Sequence, residues 1–138
     1  MRIMGLDVGS VRIGIALSDK TRTIAQSFKT ITRSAFDSDI QALKKIAIDN
    51  DVSHIVIGLP LNMDGTLSKQ TEAVLEFSRA VQEKIGLPVD NYDERLTSKE
   101  AESALILENL SRRKRKQKID KVAACLILQN YLEYKSKG

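Results

Sequence analysis

Asp7, the adjacent pair Asp93–Glu94 and Asp120 are acids in settings that a fold would seldom choose for stability alone. Asp7 closes an apolar stretch, Arg2 to Val8, that reads as a strand. Leu6 and Val8 fall on one side of that strand, which leaves Asp7 on the side of Ile3 and Gly5. Its plainer role would be to cap the turn at Gly9–Ser10. Asp93-Glu94-Arg95 follows a short strand, Val89 to Tyr92, and ligands of open α/β sheets collect at such carboxyl ends. Taken by itself, that tripeptide is equally a solvated loop. Asp120 falls inside the apolar arc of the last helix, near Ile127 and Tyr131. A carboxylate there is costly unless it is paired or binds a cation. The competing role is a first-turn acid that serves helix amides.

Together the three positions suit phosphodiester cleavage. That reaction needs an acidified water and a neutralised leaving oxygen, which two divalent ions ~3.5–4 Å apart can supply. Carboxylates are the natural ligands of Mg²⁺ or Mn²⁺. The chain has one cysteine, Cys125, and one histidine, His54. A zinc cluster is thereby excluded, and any metal is a hard ion held by oxygen. His54 and Cys125 both fall in apolar elements and read as packing residues.

The net charge of +4 is unevenly spread. Residues 112–121 carry +6, so the rest of the molecule sums to −2. One concentrated basic segment on a nearly neutral body points to a polyanionic partner. Arg112, Arg113, Lys114, Arg115, Lys116 and Lys118 are candidates for phosphate contact, together with Arg12 and Arg95. The segment is expected to be mobile and ordered by substrate.

The elements that must position these groups follow from periodicity. Val11 to Ser18 makes a hairpin with the first strand, and Thr23 to Thr32 is a third, more polar strand. Phe36, Ile40, Leu43, Ile46 and Ala47 recur at helical spacing. His54 to Leu61 is a buried strand. Leu67 to Ile85 is a second helix with Thr71, Val74, Leu75, Ser78 and Val81 on one face. Thr97-Ser98-Lys99-Glu100 fits a capping box that opens a third helix, which runs to about Asn109. Ile119, Val122, Ala123, Leu126, Ile127 and Tyr131 mark a fourth. This order predicts one α/β domain over residues 1–138, a mixed sheet covered on both faces. Apolar residues are 42% of the total and charged residues 29%, which places the chain with globular rather than disordered proteins. No apolar run approaches a bilayer span, and Asp7 comes too early for a signal peptide, so a cytoplasmic protein is expected.

Four segments then carry a resemblance: Gly5-Leu6-Asp7-Val8-Gly9-Ser10-Val11-Arg12-Ile13-Gly14, Gly58-Leu59-Pro60-Leu61-Asn62-Met63-Asp64-Gly65-Thr66, Asp93-Glu94-Arg95-Leu96-Thr97 and Lys118-Ile119-Asp120-Lys121-Val122-Ala123-Ala124. In that order and spacing the chain resembles the YqgF family, also called RuvX. The resemblance implies a ribonuclease H-like fold related to the RuvC resolvase, with a five-stranded mixed sheet. It implies a metal site at Asp7, Glu94 and Asp120. Of the adjacent acids, Glu94 is taken as the ligand and Asp93 as a partner of Arg95 or a loop amide. It also implies maturation of the 16S ribosomal RNA precursor at its 5′ end. Resolution of four-way DNA junctions is the second expectation, because one sequence does not separate RNA from DNA recognition. A non-catalytic nucleic-acid binder in ribosome assembly or transcription would use the basic segment equally well, but would have no use for acids facing its ligand. Asp-x-Gly ahead of a hairpin also resembles the start of sugar-kinase-type ATPases, but those need a second domain of comparable size. The number of subunits is left open.

Overall fold

The computed structural model describes residues 1–62, 64–93 and 112–137, with side chains of the last helix described for 122–135. Five strands, β1 (Arg2–Val8), β2 (Arg12–Ser18), β3 (Ala25–Thr32), β4 (Val52–Leu59) and β5 (Val89–Asp93), form one sheet in the order β3-β2-β1-β4-β5. β1 pairs antiparallel with β2 and parallel with β4. β3 joins β2 antiparallel, and β5 joins β4 parallel. The sheet is mixed, as the sequence predicts.

Strand ends have local causes. Pro60 has no amide to give, so β4 stops at Leu59, and the Leu61 amide turns back onto the Leu59 carbonyl at 3.0 Å. β3 begins at Ala25 rather than Thr23 because the Asp19 carboxylate captures the Thr23 and Ile24 amides at 2.8 and 3.0 Å. Those bonds, Ile24's foremost, hold the Asp19 carboxyl well below the usual carboxylate range.

Alternation divides the sheet into two faces. Met4, Leu6 and Val8 of β1 join Ile13, Ile15, Ile55 and Ile57 against helices α1 (Phe36–Asp49) and α2 (Lys69–Ile85). Ile40, Leu43, Ile46 and Ala47 of α1 are buried there as expected. On α2 the buried stripe is Thr71, Val74, Phe77, Ser78 and Val81, so Phe77 takes the place expected for Leu75. Ser68 caps α2, its hydroxyl accepting from the Thr71 amide while the Thr71 hydroxyl answers the Ser68 amide. Gly86, at φ 80°, ends the helix.

Among the described residues, the opposite face carries one long helix, α3 (Arg112–Lys137). Ala124, Ile127, Leu128, Tyr131 and Leu132 pack on Ile3, Ala16, Ala25 and Val56. The approach is close because Gly5 has no side chain. A Cβ there would meet the Leu128 Cβ at 2.8 Å and the Ala124 carbonyl at 3.2 Å. The basic stretch forms the opening turns of this helix, where the sequence suggested a mobile lead-in. Arg, Lys and Gln are good helix formers, and neither Gly nor Pro interrupts the run. The expected helix from Thr97 to about Asn109 lies outside the described residues.

Candidate active site

β1, β4 and β5 run parallel, so Val8, Leu59 and Asp93 end at one edge of the sheet. Asp7 sits one residue from that edge, half-buried, on the α3 face. Its partner across β2 is Gly14. On the other side the register continues from Leu6–Ile57 to bring Gly58 alongside, and Gly58 pairs with Tyr92. Asp7 is thus flanked on its own row by two glycines, which put no side chain beside its carboxylate from either neighbouring strand. Thr30, opposite Gly14, extends the same row. Its buried hydroxyl has no hydrogen-bond partner among the described residues. The turn that follows is closed by the Gly9 amide on the Arg12 carbonyl at 2.9 Å, and Asp7 engages a partner of its own.

Asp93 is exposed, and alternation from Tyr92 puts it on the face away from Asp7. Glu94 and Arg95 lie outside the described residues. Position 120 lies in the backbone of α3, one turn before Ala124. The carboxyl half of α3 lies near the start of β1, where Tyr131 meets His54 and His54 pairs with Ile3. The helix therefore runs antiparallel to β1. From Ala124 over Gly5, one turn back is ~6 Å along the helix, matching the ~6.6 Å from Gly5 to Asp7 along the strand. The backbone at 120 is carried towards the Asp7 end of β1. Positions 112–118 continue beyond it in the same direction. Among the described residues, no three His, Cys, Asp or Glu side chains are grouped to hold a metal. Arg12 opens β2 and is half-buried, with a partner in place.

Soft donors are spent elsewhere. The Cys125 thiol donates to the Ala25 carbonyl at 3.5 Å, and burial raises its pKa. His54 is at the far end of the sheet, and it is not merely a packing residue. Its Nε2 lies 3.2 Å from Asp90 Oδ2 and 3.3 Å from the Tyr131 hydroxyl, which itself donates to Asp90 at 2.5 Å. The Tyr131 bond, ahead of His54, holds the Asp90 carboxyl below its ordinary range despite partial burial. A lowered carboxyl contributes stability above the unfolded-state pKa, and loses it as pH falls through the folded value. Asp90→Asn should therefore melt lower than the parent at neutral pH, with the gap closing below about pH 4. Thermal melts across pH check this, and a gap that persisted unchanged in acid would rule it out.

A further acid went unnoticed in the sequence. Asp39, on α1, is 4% exposed. It accepts from the Ser34 amide at 3.1 Å and from Arg33 Nε at 3.3 Å. Arg33 in turn donates to the Gly9 carbonyl at 2.9 Å, two residues past Asp7. Both line a cleft of about 880 Å³ on the α1–α2 face of the same sheet edge, with Ser10 and Lys69. Only a contact map reveals them, since Arg33 and Asp39 look like an ordinary charged loop-to-helix junction.

Comparison with known proteins agrees with this architecture. Thermus thermophilus RuvC, solved with a Holliday junction substrate, superimposes with a TM-score of 0.63 over 99% of this chain and 96% of its own, at 13% identity. The Fowlpox virus resolvase, solved with Holliday junction DNA, gives 0.58 over 98% and 99%, at 12% identity. The ribonuclease H-like, RuvC-like fold expected from the resemblance is therefore the fold observed. In sequence, a Clostridium kluyveri protein named "Putative pre-16S rRNA nuclease" is 50% identical over 99% of this chain and all of its own length. A Heliobacterium modesticaldum protein of the same name is 48% identical over 99% of this chain and 91% of its own. The family model described as "RuvX: Holliday junction resolvase" matches residues 1–134. The chain belongs to the RuvX family.

Proposed function

We propose that this protein is a divalent-metal-dependent nuclease acting on the 16S ribosomal RNA precursor, with Asp7, Glu94 and Asp120 as its metal-binding and catalytic acids. The observation that carries the reading is Asp7, a half-buried carboxylate flanked by glycines at the carboxyl edge of three parallel strands. Full-length similarity to relatives named for this reaction supports it. The placement of Asp93 on the other face supports the choice of Glu94, the next residue along. The backbone course of α3 supports Asp120.

The donor set fits Mg²⁺ or Mn²⁺. It is all oxygen, and the only histidine and cysteine are engaged elsewhere. When bound, such ions acidify a water and neutralise charge on the leaving oxygen. The chain's own part is to fix the acids. β1 holds Asp7 rigidly between two neighbouring strands, and α3 brings position 120 on a continuous helix. Arg12, Arg95 and Arg112, Arg113, Lys114, Arg115, Lys116 and Lys118 are proposed to hold the phosphate backbone, with salt-sensitive affinity. The whole is read as one domain, residues 1–138, working in the cytoplasm. Among the described residues no helix is long and apolar enough to cross a membrane.

Junction resolution is the second reading, favoured by the RuvC-like fold. Side-by-side cleavage of a 5′-extended 16S precursor and a four-way DNA junction, in Mn²⁺ and in EDTA, separates them. The precursor should be cut only with metal. Preferential cutting of the junction would move the assignment to DNA, and no cutting of either would favour a pure binding protein.

A further inference from the structure

The sheet edge opposite Asp7 holds a groove that the nuclease reading leaves unused. A cavity of about 530 Å³ lies between the β2–β3 loop, the start of β4 and the end of α3, where Arg22, His54 and Lys135 converge from three separate elements. A smaller one of about 140 Å³ adjoins it, sharing Tyr131 and Lys135 and reaching Asp90, Tyr92 and Tyr134.

The loop that presents Arg22 is built rather than slack. Arg22 is held at φ 60°, a region costly for a residue with a side chain, and its amide is bound to the Asp19 carbonyl at 3.1 Å. α3 braces the same loop, the Gln129 side chain taking the Ala25 amide at 2.8 Å and giving to the Thr23 carbonyl at 3.2 Å. On the other wall Tyr92 stacks on Tyr131, with ring centroids 6.4 Å apart and planes 15° from parallel, and Lys135 lies 5.6 Å from the Tyr131 ring centre. Beside them Tyr134 is 68% exposed, a large aromatic surface with nothing over it among the described residues. Of the carboxylates nearby, Asp90 lines only the smaller cavity and is tied to Tyr131 and His54, while Asp19 is taken up inside the loop by the Thr23 and Ile24 amides.

We propose that this groove is a second nucleic-acid contact, which takes a phosphodiester of an unpaired strand between Arg22, His54 and Lys135 and its neighbouring base against Tyr134. Two cations, Arg22 and Lys135, along a groove with an exposed aromatic platform match the pattern of single-strand binding, in which charge tracks the backbone and rings stack the bases. Ile3, which lines the cavity, is four residues from Asp7 on the same face, ~13 Å along β1. A strand lodged here can continue along α3 towards the candidate active site. The inference rests on the nucleic-acid partner of the reading above, but not on cleavage.

The test is fluorescence anisotropy of the full chain with a short labelled uridine oligomer in EDTA, beside an abasic oligomer of equal length. Arg22→Gly suits the positive φ and removes the whole side chain, guanidinium included. With Lys135→Gln it should weaken binding of both oligomers about tenfold and flatten the salt dependence. Tyr134→Ala should weaken the uridine oligomer about fivefold or more and leave the abasic one unchanged. Arg22→Lys should restore most of the affinity lost by Arg22→Gly. Thermal melts should match the parent, because all three positions are exposed. If the parent binds and these variants bind equally, the groove assignment fails while the nucleic-acid reading stands. If the parent binds neither oligomer, both fail.

Discussion

Asp7→Asn should lower metal-stimulated cleavage by about 10³-fold or more, while the protein melts where the parent does in EDTA. The substitution preserves shape and keeps one oxygen, so the strand pairing of Asp7 with Gly14 is untouched. What it would remove is the negative charge that the proposed function assigns to binding a hard cation at this sheet edge. A second readout does not depend on catalysis. Mn²⁺ should raise the melting temperature of the parent by preferential binding to the native state, and should raise that of the variant much less. Initial rates and paired melts measure both effects. Cleavage by the variant at the parent's rate would show that the site has been misplaced or that the activity belongs to a contaminant.

Phe77→Ala carries the largest expected loss of stability, about 3–5 kcal/mol. Phe77 is 1% exposed and heads the largest wholly buried side chains. Its ring meets Phe36 edge-on at 5.5 Å, and the Arg33 guanidinium lies 5.1 Å from its centre. Truncation opens a cavity between α1, α2 and the sheet, and strips Arg33 of its packing surface. Urea denaturation should show the lowered midpoint. The specific activity of the fraction that stays folded should also fall, because Arg33 reaches Gly9 beside Asp7. A loss under about 1 kcal/mol would mean that the neighbouring side chains collapse into the space.

The sequence made the frame legible where one residue's neighbours in the chain determine its fate. The sequence predicts β1 from Arg2 to Val8, and those are its observed ends, because an apolar run closed by Gly9 leaves little choice. The face of Asp7 followed from strand alternation alone. What escaped were features that depend on distant partners. His54 reads as core packing in the sequence, yet its ring meets an acid 36 residues on and a phenol 77 residues on. Asp39 carries no signal in the sequence because nothing local reveals Arg33 folding over it. Periodicity does not choose Phe77 over Leu75 because the two flank the stripe of Thr71, Val74, Ser78 and Val81 on opposite sides at about equal angles, and only the sheet beneath decides between them. The Ser68 cap was missed because its reciprocal residue is Thr71 rather than the usual Glu or Gln. Of the three candidate acids, Asp7 is described in full and Asp120 by its backbone, while Glu94 is carried by resemblance and by its place after β5.

The link from Asp39 through Arg33 to the Gly9 carbonyl bears on how the protein meets its substrate. Hairpin turns next to a reactive group are usually loose, and ordering them on binding weakens affinity. Here the loop just past Asp7 is pinned from the opposite layer by a guanidinium that is itself oriented by a buried carboxylate. Its conformational freedom is surrendered when the chain folds, so an incoming phosphodiester meets a surface already set in place.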